Sequence, residues 1–445
     1  MNVLLRGSAP QEQFPVMPDN NSRFHLRSIL LFLFTLFCFL HVSGSSNRYP
    51  QPEFETGYEI PAASVVSPKS TTVSGSGTAE RRIDIITLLA VLSAAAYAIY
   101  IKRSRTLIFI IAVISLFWFG FYRKGCVCAV GSLQNVVLSF LDSTYVLPVG
   151  ILAFFVIPLI TALILGRIFC SAVCPLGAIQ ELVIIRPVHL PVWLNRILGF
   201  IPALYLAAAC TGVYTGTGFL ICRYDPFVSL FRMSGQMPMI IFGLTMLGAG
   251  TVIARPYCRF LCPYSVLLKL ASGVSRNRLS ITKKECVPCG LCAPACPVQA
   301  INPPADAHAI NMRIRSFIII AAITPVIIAL CGWGLGFAEP FFSSLHPSVR
   351  LHTLLSREAE KGDGLMSLET QTYQVSGANP VTLAAEVETV RRRAARALRI
   401  TGWLLGLYIS LRSLMFLRSA GSTRYEADPS ECVQCGRCFE YCPRK

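Results

Sequence analysis

Two cysteine runs of the same spacing, set far apart, constrain this chain more than anything else in it. The first reads Cys286-x2-Cys289-x2-Cys292-x3-Cys296-Pro297 and the second Cys432-x2-Cys435-x2-Cys438-x3-Cys442-Pro443. In this spacing three close thiolates clasp one cubane iron–sulfur cluster, and the fourth, before proline, reaches over to a second. Neither run completes a site alone. The fold must bring the end of the chain back to a place visited about 135 residues earlier, across two strongly apolar stretches. The crossed pattern assigns Cys286, Cys289, Cys292 and Cys442 to one [4Fe–4S] cluster. Cys432, Cys435, Cys438 and Cys296 go to the other.

Such a pair of runs is a bacterial-type two-cluster ferredoxin cut in half, and composition says what cuts it. The 445 residues are 53% hydrophobic and 14% charged, with mean hydropathy +0.57. Apolar runs near the length that crosses hydrocarbon as a helix recur along the chain. The net charge of +17 follows Lys and Arg placed beside those runs. No motif or basic domain points to nucleic acid, so no nucleic-acid partner is expected. Eighteen cysteines with CxxC-type spacing mean metal or redox work in a reducing compartment rather than disulfides.

The expected fold class is an all-α polytopic membrane protein carrying a small α+β two-cluster ferredoxin domain assembled from two separated segments. Residues 1–44 form a polar tail and a signal or anchor helix, and 45–82 an exposed Ser/Pro/Thr/Gly-rich linker. The membrane core fills 83–278, with spans predicted near 83–101, 107–122, 146–168, 192–215 and 237–255. Ferredoxin half one follows at 279–310, a transmembrane helix at 311–333, an extracytoplasmic loop at 334–395, a second helix at 396–416 and half two at 417–445. Lys102, Arg103 and Arg105 put the first turn in the cytoplasm. Counting from there puts 123–145 and 216–236 outside and 169–191 and 256–313 inside. Both ferredoxin halves then share the cytoplasm. Arg391, Arg392, Arg393, Arg396 and Arg399 oppose this count at the outer end of the last span. The cysteines override them, because removing a span strands one half.

The core contains a repeat. Gly166-Arg167-Ile168-Phe169-Cys170-Ser171-Ala172-Val173-Cys174-Pro175 echoes Ala254-Arg255-Pro256-Tyr257-Cys258-Arg259-Phe260-Leu261-Cys262-Pro263. Each copy is expected at the cytoplasmic end of a span, with its two thiols on one face if helical. Cys170, Cys174, Cys258 and Cys262 supply four thiolates, enough for a further iron–sulfur cluster or for copper. A weaker echo pairs the segment from Cys128 to Gln134 with that from Cys174 to Gln180. With Cys126 and Cys222 it suggests an outer metal site of Cys126, Cys128 and Cys222, with Cys210 or Asp225 as a fourth ligand. Cys38 and Cys331 read as packing residues. The scattered histidines offer no bis-His haem site, and no dinucleotide fingerprint occurs.

The paired Arg-x-aromatic-Cys-x3-Cys-Pro motifs followed by ferredoxin motifs resemble the NosR/NapH-type membrane polyferredoxins. The likeness covers about residues 105–300 and the C-terminal run. It implies a multi-pass protein of the bacterial cytoplasmic membrane, an electron-transfer component rather than a stand-alone enzyme. In that group electrons pass between a quinol or cytoplasmic donor and periplasmic partners such as nitrous oxide reductase. About 40 residues stand where NosR-like members carry a flavin domain, so covalent FMN is not expected. A periplasmic acceptor or flavin-bearing partner protein is. Copper-handling reductase or assembly factor and redox-sensing regulator are the alternative readings.

Overall fold

The structure is a computed structural model. It describes residues 78–443 apart from 124, 126–128, 143–144, 186, 233–236, 276, 278, 280, 282–285, 288, 303–306, 362–366, 376, 378 and 420–424. The tail, anchor and most of the linker expected before residue 78 lie outside the described residues, as does Cys38.

Two long helices open the bundle. Helix α1 (Thr78–Ala96) runs on into the π-helical turn Tyr97–Ile101, and α2 (Arg105–Ser115) into Leu116–Tyr122. Arg103, at φ +48, turns the chain between them. Ser104 then caps α2 by accepting the Leu107 N–H. Next come α3 (Ala129–Leu141), α4 (Val149–Leu165), α5 (Pro175–Val183), α6 (Val192–Leu198) and α7 (Ile201–Thr215). The short α8 (Leu220–Tyr224) and α9 (Pro226–Arg232) lead to α10 (Met237–Val252), α11 (Pro256–Phe260) and α12 (Tyr264–Gly273).

Among the described residues, four stretches are long and apolar enough to cross a membrane: Arg82–Ile101, Arg105–Tyr122, Trp193–Thr215 and Arg315–Gly336. The span expected at 146–168 is the 17-residue α4. At about 1.5 Å per residue it falls short of roughly 30 Å of hydrocarbon. The span expected at 237–255 passes only as α9 and α10 together, a bent pair.

The two segments expected to form the ferredoxin flank two much longer helices. The first half holds α13 (Cys292–Ala295) and β1 (Ile301–Asn302); the second holds β2 (Glu426–Ala427) and α19 (Arg437–Tyr441). β1 and β2 pair antiparallel, Ile301 opposite Ala427 and Asn302 opposite Glu426. One strand from each half thus makes the sheet. Between them run α14 (Ala307–Gly336), α15 (Glu339–Ser344), α16 (Pro347–Lys361), α17 (Leu368–Val375) and α18 (Pro380–Ser419). The expected helix 396–416 is the last part of the 40-residue α18. The expected loop 334–395 is largely helical. α14 and α18 touch backbone to backbone. A Cβ on Gly406 would lie 2.7 Å from the Ile328 Cα, and Trp403 covers Gly332. Gly402-x3-Gly406 is the small-residue spacing that allows such closeness.

Candidate metal centres

The four repeat cysteines line one cavity inside the bundle. Its walls are Cys170, Cys174, Cys258 and Cys262 together with Leu88 of α1, Phe119, Phe154 of α4, and Ala129 and Val130 at the start of α3. Residues from well inside α1 and α4 face the same space. The shared helical face expected of each pair is corrected. Cys170 sits in the π-helical turn Phe169–Val173, and Cys174 leaves it with ψ 119. Proline at the next position disfavours helical geometry in the residue before it, so Pro175 ends one helix and starts the next. Cys258 lies on α11, whereas Cys262 falls between α11 and α12.

Polar groups around this cavity are few and mostly cationic. Arg167 Nη2 lies 4.0 Å from Cys170 Sγ, and Gln180 Nε2 donates to Cys258 Sγ at 3.3 Å. Arg255 Nη1 donates to the Cys170 carbonyl at 2.7 Å. Arg255 holds the left-handed conformation at φ +51 while 2% exposed. That geometry is unfavourable for a non-glycine residue and is retained where surroundings dictate it. Buried Arg167 Nε, Arg255 Nη2 and Arg259 Nη1 have no hydrogen-bond partner. Thiols, apolar walls and unpaired cationic donors suit an anionic, sulfur-rich group. Among the described residues, no three Cys, His, Asp or Glu side chains converge tightly enough to hold a single metal ion.

The two Cys-x2-Cys-x2-Cys-x3-Cys-Pro runs form a second cavity, lined by Cys286, Cys289, Cys292 and Cys442 with Ile281, Val287, Gly290, Tyr425, Tyr441 and Pro443. Cys296, Cys432 and Cys435 pack with Val298, Ala300 and Val433. Burial pushes the Cys438 thiol well up, and Cys432, Cys435, Cys296 and Cys292 add to the rise. Backbone N–H groups of Ala300 and Gln434 point at Cys296 Sγ and Cys432 Sγ, at 3.3 and 3.4 Å. Burial pushes the Cys292 thiol up to about 11 and that of Cys432 up to about 12. A bound cation is what makes such thiols ionise at neutral pH.

Both halves dock on the core beside the first cavity. Gln434 Nε2 donates to the Leu165 carbonyl at 2.8 Å. Gly166, at φ +77, leaves room for it; a Cβ there would sit 2.7 Å from that nitrogen. Arg167 Nη1 reaches the Ser430 carbonyl at 3.3 Å. From half one, Gln299 accepts from Arg259 Nη2 at 2.9 Å and donates to the Leu190 carbonyl, also at 2.9 Å. His189 approaches the Cys296 carbonyl at 3.3 Å. Buried Lys269 pairs with Glu431 at 3.2 Å, and Arg412 pairs with Glu431 as well.

The weaker echo has a structural counterpart. Gln180 Oε1 accepts the Tyr257 N–H at 3.0 Å, and Gln134 Oε1 accepts the Ile221 N–H at 3.0 Å. Each capped residue immediately precedes a cysteine, Cys258 or Cys222. Cys222 Sγ would lie 3.5 Å from a Cβ on Gly131. Cys126 and Cys128 lie outside the described residues. Buried Asp225 accepts from Tyr257 Oη at 3.1 Å and from the Phe227 N–H at 3.0 Å. Segments that the topology count sends to opposite faces therefore touch inside the bundle. Sequence reading missed Glu181, which joins Arg105, Arg255 and Arg437. A lone acid among apolar residues was its only signal.

A family model for a 4Fe-4S binding domain matches residues 147–200 and 234–282. The two matched blocks contain the two Cys-x3-Cys-Pro motifs and stop short of Cys286. The chain is 27% identical to the putative electron transport protein YccM of Escherichia coli, over 31% of this chain and 43% of that protein. It is 30% identical to protein NirI of Paracoccus denitrificans, over 31% of this chain and 22% of NirI. Likeness to the regulatory protein NosR of Stutzerimonas stutzeri is 24%, over 47% of this chain and 30% of NosR. These matches support a NosR/NapH-like family of 4Fe–4S membrane proteins. The chain spans less than half the length of each of these three relatives. No solved structure matches.

Proposed function

We propose that this chain is an electron-transfer protein of the bacterial cytoplasmic membrane, linking a cytoplasmic or quinol donor to a periplasmic acceptor or flavin-bearing partner. The carrying observation is that the 4Fe-4S family match falls on the segment that builds the buried four-cysteine cavity. The reading assigns three clusters. Cys286, Cys289, Cys292 and Cys442 hold one; Cys432, Cys435, Cys438 and Cys296 hold the second; Cys170, Cys174, Cys258 and Cys262 hold the third. When bound, such clusters take up and release single electrons.

The chain's own residues supply the rest. Arg167 and Arg255 bring buried positive charge to the core cysteines, and apolar walls keep water out. A hydrocarbon layer roughly 30 Å thick is too wide for one productive hop, and a site within the bundle divides it. Cys126, Cys128 and Cys222 are proposed as an outer site that divides it again. Cluster over copper is favoured at the core cysteines because the 4Fe-4S family match falls on the segments that carry them. In a cubane each thiolate binds a different iron.

Iron and copper counted on chain purified anaerobically from membranes test the assignment. About twelve iron per chain and no copper are expected if three cubanes are present. About eight iron together with copper overturns the core cluster and favours a copper-handling protein.

A further inference from the structure

Glu181 belongs to neither set of cysteines yet pairs with arginines that adjoin both. It lies near the end of α5, 6% exposed, and receives three guanidinium groups. Oε1 accepts from Arg437 Nη2 at 2.9 Å and from Arg105 Nη2 at 3.5 Å; Oε2 accepts from Arg255 Nε at 3.1 Å. Arg437 stands between Cys435 and Cys438 in the second ferredoxin half. Arg255 also donates to the Cys170 carbonyl and lies three residues before Cys258. Arg105 reaches Glu440 of the same ferredoxin half at 3.5 Å. Burial opposes the charge on Glu181, but Arg437, then Arg255 and Arg105, hold its carboxyl well below the usual carboxylate range. Without that charge, three guanidinium groups would crowd one buried pocket with nothing between them.

We infer that Glu181 is a positioning residue that sets the second ferredoxin site against the core cysteine site and tunes both through its charge. Arg437, Glu181, Arg255 and the Cys170 carbonyl form one continuous polar bridge between the two sets. An electron passing between the sites oxidises one cluster and reduces the other by one; no bond forms or breaks, and no proton is required. The inference rests on the proposed function, since it assumes clusters at both sites.

Two charge-removing variants of the full chain test it. Glu181→Gln removes a negative charge and Arg437→Gln a positive one, from opposite ends of one ion pair. Charge beside a cluster moves its potential according to sign. In an electron paramagnetic resonance redox titration, Glu181→Gln is expected to raise the potentials of the flanking clusters and Arg437→Gln to lower them. Both variants weaken the magnetic interaction between the two reduced clusters, and both retain wild-type iron. Glu181→Asp, which keeps the charge, stays near the wild-type potentials. A merely structural loosening would move both glutamine variants in the same direction. That result, or unchanged potentials and coupling, overturns the inference. If Glu181→Gln fails to accumulate, Arg437→Gln decides alone: an unmoved potential sinks the idea. Absence of iron at the core cysteines in the wild type instead brings down the proposed function, and this inference with it.

Discussion

The two four-cysteine cavities are built in different ways. The core cavity takes its walls from helices spread over residues 88–268, and three of its four cysteines are buried. The ferredoxin cavity is a local loop around Cys286, Cys289 and Cys292, with Cys289 exposed, closed from far away by Cys442 and its neighbours. One is guarded by the bundle and the other by the return of the chain. The first should therefore resist chemistry and yield only to loss of thiols. The second should be sensitive to oxidation and to anything that separates α14 from α18.

The strongest way to split the two is to push those helices apart. Gly406→Leu places side-chain atoms against the Ile328 Cα, which no rotamer change relieves. Overpacking of this kind costs about 1–3 kcal/mol or more. Iron is expected to fall from about twelve to about four per chain, leaving only the core cluster's spectrum. Retention of all iron would show that docking on the core suffices to hold the halves together. Cys258→Ser inverts the pattern: the core signal disappears and about eight iron remain. Loss of all iron from that variant would mean the ferredoxin cannot load on an empty core.

Acid offers a graded version of the same comparison. The carboxyl of Glu181 is depressed in the folded chain, so its stabilising effect is complete above the ordinary carboxylate pKa of about 4.3. It declines as pH falls from there toward the folded value. Residues 426–443 should become protease-sensitive in that window in the wild type, and already at neutral pH in Glu181→Gln. In air, iron coordinated beside exposed Cys289 should be released several-fold faster than core iron, followed by bleaching and spin signals; equal rates would deny the bundle its shielding role. The smallest effect concerns the glutamines. Gln180→Ala removes the donor to Cys258 Sγ, a loss of about 1 kcal/mol, and should lower the core potential. Gln134→Ala should leave it unmoved.

The sequence made the cysteine runs, the repeated motif and the spans of α1, α2, α7 and α14 legible, because each is a local pattern. The surroundings of the core site were not legible. Hydropathy does not separate a helix that crosses from a shorter apolar helix such as α3 or α4. Pro175 and Pro263, each directly after a cysteine, were the available sign that the helix breaks there. The arginines that opposed the topology count find a physical account in α18. At about 1.5 Å per residue, 40 residues reach far beyond a bilayer. Arg391, Arg392, Arg393, Arg396 and Arg399 are all exposed, ahead of the apolar stretch that begins at Ile400, while Ala394, Ala397 and Leu398 face inward. Glu181 could not be placed because its partners come from α2, α11 and α19, which only tertiary structure brings together.

The two-stranded sheet also dictates an order of manufacture. Strand β1 has no partner until residue 426 leaves the ribosome, several seconds after residue 302 at about 5–20 residues per second. In the proposed ligand sets each ferredoxin site also borrows a cysteine from the other half. Metal loading of that domain then becomes a signal of completed synthesis: a truncated or mis-inserted chain presents two half-sites that cannot be filled.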